Sequence, residues 1–168
     1  MTTRAHEHLV VNHHKVASRR PGLAAVTCLG TTLRGDDAVG PLVAESLRER
    51  GIEPLDCGDE PARLLDQLGG LDTLVVVDAV RTGAPPGTIL RREAVDDALP
   101  RDLGLASTHA LGIADVIALA RALGKAPRRV VVVGIEGVAF GMGDPLSPAV
   151  EDALDTAVAE VVRTIGEG

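Results

Sequence analysis

The sequence predicts an α/β protein, a three-layer α/β/α sandwich with a mostly parallel sheet of about five strands and helices on both faces. Three observations predict it. Short apolar runs recur at residues 23–29, 72–80 and 129–136, the pattern of strands covered on both faces. Between them lie stretches whose apolar residues repeat at helical spacing. The two patterns alternate along the chain, and neither a second domain nor an internal repeat interrupts them. With 168 residues the chain has the length of a single domain that can bury a substantial core.

In chain order, residues 1–20 hold four of the five histidines, at His6, His8, His13 and His14, with little that could pack. Such a tract could hold a stray divalent cation; a disordered N-terminal extension is expected, with residues 21–168 as the single domain. The first strand, 23–29, leads into a helix with Val39, Leu42, Val43 and Leu47 on one face, ending near Arg50 with Gly51 as its cap. Residues 52–58 read as a second strand, placed at an edge by Pro54. Residues 61–68 read as a short helix closed by Gly69 and Gly70.

The β-branched run 72–80 is a central buried strand. A turn cluster at 82–87 precedes a fourth strand at 88–91, and 93–105 is acidic and loop-like. Ser107 or Thr108 caps the next helix, which buries Ile113, Val116, Ile117 and Ala120 and stops at Gly124 before Pro127. A fifth strand covers 129–136, followed by a Gly-rich loop. The last helix starts at Ser147 and Pro148, with Val150, Leu154, Val158, Val161, Val162 and Ile165 expected to face inward.

Composition excludes several functions. One Phe, no Trp and no Tyr leave no aromatic platform for stacking bases or sugars. A net charge of −7, from 17 basic and 24 acidic residues, opposes phosphate backbones, so no nucleic-acid partner is expected. No apolar stretch reaches the roughly 20 residues that span a bilayer, and no export signal is evident, so no membrane partner is expected. Cys28 and Cys57 have no framework spacing and read as free thiols of a reducing cytoplasm. A monomer is expected.

The candidate chemistry sits on the turn after the first strand, residues 28–40, where two carboxylates, Asp36 and Asp37, stand side by side. Loops at the carboxyl ends of strands are where open α/β sheets bind ligands. One Asp suits an N-cap, satisfying an orphan N–H at the positive end of the helix dipole. Asp36 fills that role, and Asp37 is the better functional candidate, because adjacent like charges raise each other's pKa unless one finds a cation. Asp78 ends the central apolar strand, where it either caps the following loop or meets Asp37 from the neighbouring strand. His109 opens a helix, where the dipole favours the neutral imidazole that binds metal. It can equally be a histidine hydrogen-bonded at a helix start. Two carboxylates and an imidazole form a divalent-metal set with positions left open for water or substrate.

The segment Gly30-Thr31-Thr32-Leu33-Arg34-Gly35-Asp36-Asp37-Ala38-Val39-Gly40 resembles the signature of the hydrogenase maturation proteases. The similarity continues through Val77-Asp78-Ala79-Val80, Pro86-Gly87-Thr88, Thr108 to Val116, and Val133-Gly134-Ile135-Glu136, covering about residues 23–165 in order. The resemblance implies an endopeptidase that removes the C-terminal extension of a nickel-iron hydrogenase large-subunit precursor, its partner. It also implies that Asp37, Asp78 and His109 are the catalytic, nickel-coordinating positions, with nickel arriving in the precursor. The chain departs from the family's Gly-x-Gly-Asn at Cys28 and Thr31, and carries Gly137 where proline is common. Two other readings stand beside this one. A non-catalytic nickel sensor or precursor-binding chaperone would keep the site and lose the cut. A nucleotide-binding domain is disfavoured, because the first turn lacks both phosphate-loop spacings.

Overall fold

The first apolar run folds as strand β1 (Ala24–Cys28) and feeds a one-turn 3₁₀ helix, Gly35–Ala38, that continues directly into helix α1 (Val39–Glu49). The computed structural model describes residues 22–56, 61–94, 104 and 108–167. After a second 3₁₀ turn at Pro61–Leu64 come β2 (Thr73–Val80) and β3 (Ile89–Glu93). Helix α2 (Thr108–Ala122), β4 (Arg129–Glu136) and α3 (Pro148–Gly166) complete the chain.

Four strands form one sheet in the order β1-β2-β4-β3. β1, β2 and β4 are parallel, with Cys28 opposite Val77 and Asp78 opposite Gly134. β3 runs antiparallel to β4. The connection from Val80 to Ile89 is too short for the crossover that a parallel return needs, so the chain turns back on itself.

β2 is buried at every position, as its continuous apolar run predicts. Its alternate residues divide the core into two layers. Leu74 and Val76 pack with Leu64, Leu68, Ile113, Ile117 and Ala120 on the α2 side. Val75, Val77 and Ala79 pack with Val39, Val43, Leu47, Val150, Val158 and Val161 under α1 and α3. The three-layer α/β/α sandwich follows from that division.

Three sequence expectations change. Among the described residues the sheet has four strands rather than five: within 52–56 the chain makes a single bridge, Leu55 beside Thr27, because as far as Ile52 it is still bonded to the last turn of α1, through Ile52 N–H to Leu47 O at 2.9 Å. The chain does lie along the outer edge of β1 there, with Leu55 N–H donating to Val26 O at 2.7 Å. The short helix at 61–68 contracts to a 3₁₀ turn. On α3, Val162 is 36% exposed while Ala153 and Ala157 take the inward positions. The helix ends behave as read. Gly51 has φ +78 and its N–H bonds Arg48 O at 2.9 Å, and Gly124 has φ +68 with its N–H on Arg121 O at 2.9 Å. The N-terminal tract, Cys57, Ser107 and most of 93–105 lie outside the described residues.

Candidate active site

The loop after β1 is shaped by close backbone contacts. Gly30 has φ +114, and a Cβ there would lie 2.0 Å from Asp37 O. Only glycine allows the turn to fold back onto the 3₁₀ helix this tightly. Leu29 N–H donates to Val77 O at 2.8 Å, so the loop leaves the sheet level with Asp78 on the adjacent strand. This sets Asp37 and Asp78 at the same carboxyl edge, one strand apart.

Asp37 is 2% exposed. Its Oδ2 accepts the Thr31 N–H at 3.1 Å, and its Oδ1 is buried with no hydrogen bond. A buried carboxylate oxygen without a donor costs free energy, so its persistence fits an oxygen reserved for a ligand. The Thr31 bond comes from the backbone, so it does not depend on which side chain stands at this position. Cys28, the other departure in this turn, is half-buried against the α1/α3 core.

Asp78 is fully buried at the sixth position of β2. Strand alternation puts it on the α2 face with Leu74 and Val76. The residue opposite it on β4 is Gly134, which adds no side chain beside it. His109 lies in the first turn of α2, and α2 leads down to the start of β4, so its N-terminus stands at the carboxyl edge. Gly104, five residues before His109, is tied to the segment that follows β2: its carbonyl accepts the Arg81 N–H at 2.8 Å, three residues after Asp78. The His109 side chain lies outside the described part of the structure. Among the described residues no group of three His, Cys, Asp or Glu side chains gathers as a metal cage.

Asp36 plays a role the sequence reading missed. It does not cap its own helix. Its Oδ2 accepts the Val138 and Ala139 N–H groups at 2.7 and 2.9 Å and the Ser147 hydroxyl at 3.0 Å; its Oδ1 accepts the Ser147 N–H at 2.7 Å. Burial pushes this carboxyl up, but the four donors outweigh it and hold its pKa below 3.8. With four donors committed to it, Asp36 is tied into the structure rather than held open for a ligand.

Glu136 at the end of β4 is the second such carboxylate. It accepts the Thr82 and Gly83 N–H groups and the Thr82 hydroxyl, fixing the loop that follows Asp78. Burial again raises the pKa, and these donors bring it below 4.5. Its position, a lone acid closing an apolar strand as Asp78 does, was the available signal. Next to it, Gly137 N–H donates to Val80 O at 3.0 Å, a bond that proline could not make. A Cβ at Gly137 would meet the Phe140 ring at 2.5 Å. That ring carries the Arg81 guanidinium 4.0 Å from its centroid.

A three-layer α/β/α sandwich with paired acids at the carboxyl edge defines a class of α/β proteins with an edge site built on carboxylates. Within that class, the family model of the hydrogenase maturation proteases (HycI) matches residues 41–164, and the chain belongs to this family. It is 34% identical over 147 residues to the hydrogenase expression/formation protein HupD of Thiocapsa roseopersicina, covering 83% of this chain and 66% of that protein. It is 31% identical over 147 residues to the hydrogenase 2 maturation protease of Escherichia coli strain K12, covering 83% and 88%. Among solved structures, the hydrogenase maturating endopeptidase HybD from E. coli superposes with TM-score 0.73 at 26% identity, covering 86% of this chain and 93% of that one. The fold and family expectations from the sequence are borne out.

Proposed function

We propose that the chain is the endopeptidase that removes the C-terminal extension of a nickel-loaded [NiFe]-hydrogenase large-subunit precursor, acting as a cytoplasmic monomer. Asp37, Asp78 and His109 are the residues that meet the precursor's nickel. Family membership supports the reaction class. The observation that carries the site is Asp37 Oδ1, a buried carboxyl oxygen left without a donor on a turn whose other acid takes four. Oxygen donors from carboxylates, completed by one imidazole, suit a divalent transition ion.

Nickel held between protein and precursor would polarise the scissile carbonyl or acidify a water beside it. The chain's own residues do the rest. Asp37 and Asp78 bring carboxyl oxygens to the edge, and burial strengthens the attraction of an ionised carboxylate for a cation. The loops fixed by Asp36 and Glu136 keep the two acids in register. A precursor without its metal loses this anchor, so assembly itself sets specificity.

Incubation with the nickel-loaded precursor tests the reading: C-terminal cleavage by the wild type and none by Asp37→Ala is expected. An uncut precursor, or unchanged cleavage by Asp37→Ala, overturns it. Capture of the precursor without processing would mark a binding chaperone instead.

A further inference from the structure

Residues 137–147 form a strap across the carboxyl edge, and nearly every bond that holds it runs to the turn bearing Asp37. Gly35 N–H donates to Asp144 O at 3.1 Å, Asp36 N–H to Ala139 O at 2.7 Å, and Gly143 N–H to Leu33 O at 2.9 Å. A Cβ at Gly35 would lie 2.5 Å from Ala139 O, so strap and turn are in direct backbone contact. At the centre of this seam the Asp36 carboxylate takes four donors from Val138, Ala139 and Ser147, residues 102 to 111 positions away. Ser147 begins α3 yet caps nothing with its side chain, because its hydroxyl is committed to Asp36.

We propose that Asp36 is a positioning residue: by clamping the strap through its carboxylate it fixes the 3₁₀ turn in the orientation that leaves Asp37 Oδ1 open. The inference rests on the peptidase reading and assigns to the first acid of the pair a task distinct from that of the second. The physical reason is the adjacency of the two. Asp36 and Asp37 share one turn of a helix only four residues long, so a rotation that frees Asp36 must also reorient Asp37. Misplacing a reacting group by about 1 Å can cost about 10²-fold in rate.

The experiment uses the full chain, its nickel-loaded precursor, and hydrogen exchange of the protein alone. Asp36→Asn turns an acceptor into a donor that faces other N–H groups. With it, the amides of Val138, Ala139 and Ser147 should exchange roughly 10–100-fold faster while those of β2 and β4 keep their protection. At a temperature where the variant is folded, kcat should fall by about 10²-fold. Ser147→Ala deletes the hydroxyl bond alone and should lower kcat by about fivefold.

A purely structural role would reduce the melting temperature and leave the kcat of the folded protein unchanged, which overturns the proposal. If Asp36→Asn does not fold, Ser147→Ala decides: a reduced kcat supports the clamp, and a wild-type kcat overturns it. A wild type that leaves the precursor uncut removes the peptidase reading and this inference together, whereas an active wild type with equally active variants removes only the inference.

Discussion

Glu136 and Thr82 are joined three times over: the Thr82 N–H reaches both carboxylate oxygens at 2.9 and 3.0 Å, and its hydroxyl donates to Oε2 at 2.8 Å. The end of β4 thereby holds the loop that leaves β2 just after Asp78, and the bond set makes stability depend on pH. The folded pKa of Glu136 lies below its ordinary 4.5. Its contribution is therefore fully present above that value and is lost as pH falls through the lower folded one. Glu136→Gln should cost about 1–3 kcal/mol at pH 7 and flatten the acid limb of a stability-against-pH curve from urea titrations. An unchanged acid limb would mean that these bonds do not set it.

Asp37 is expected to separate activity from stability. Its carboxyl group receives one backbone bond, from Thr31 to Oδ2, and its other oxygen is buried without one. Asp37→Asn should lower precursor processing by at least about 10²-fold while shifting unfolding free energy by no more than about 1 kcal/mol. Parallel denaturation and processing measurements check both halves.

Two glycines should respond to alanine in opposite senses. Gly40 lies within α1, where alanine is favoured over glycine by about 1 kcal/mol. A Cβ there would nevertheless come 1.8 Å from Leu29 O, pushing the helix off β1. Gly40→Ala should thus destabilise by about 2 kcal/mol or more. Gly69→Ala has open space around it and should be neutral or stabilising by up to about 1 kcal/mol. Thermal unfolding of the two variants distinguishes them.

The charged network at the end of α3 should matter little. Arg163 pairs with Glu160 and Glu167, and Glu167 also meets Arg91 and Arg129, but the Arg163 side chain is 53% exposed. Solvent and salt screen such pairs. Arg163→Ala should shift the melting temperature by less than about 2 °C, and less still in high salt. A large, salt-sensitive loss would show the network to be structural.

The strands were legible because burial on both faces writes itself as an uninterrupted apolar run, as in residues 74–77 and 130–133. The second strand, 52–58, was misread because an apolar segment and its edge position say nothing of how many ladder bonds form; its described residues make one bridge, Leu55 beside Thr27. Helix ends were legible at Gly51 and Gly124 from local chemistry. The inward face of α3 was misassigned at Val162 because small Ala153 and Ala157 pack closer to the sheet than a scan for large apolar residues suggests.

In the site, the acids themselves were visible, but not the division of labour between Asp36 and Asp37. Nothing local distinguishes two adjacent aspartates. Asp36 differs because Val138, Ala139 and Ser147 arrive from the far end of the chain with four donors, and Glu136 likewise acquires its task only when β4 pairs with β2.

By itself the sequence determined the alternation of buried strands and amphipathic helices, the family signature, and which side chains carry charge to the sheet's carboxyl edge. These are properties of short stretches, set by side-chain period and turn chemistry. Only the tertiary structure decided which carboxylates are filled and which keeps an open oxygen. Hydrogen-bond satisfaction of a buried charge depends on donors brought from residues more than a hundred positions away, and no local pattern encodes their arrival.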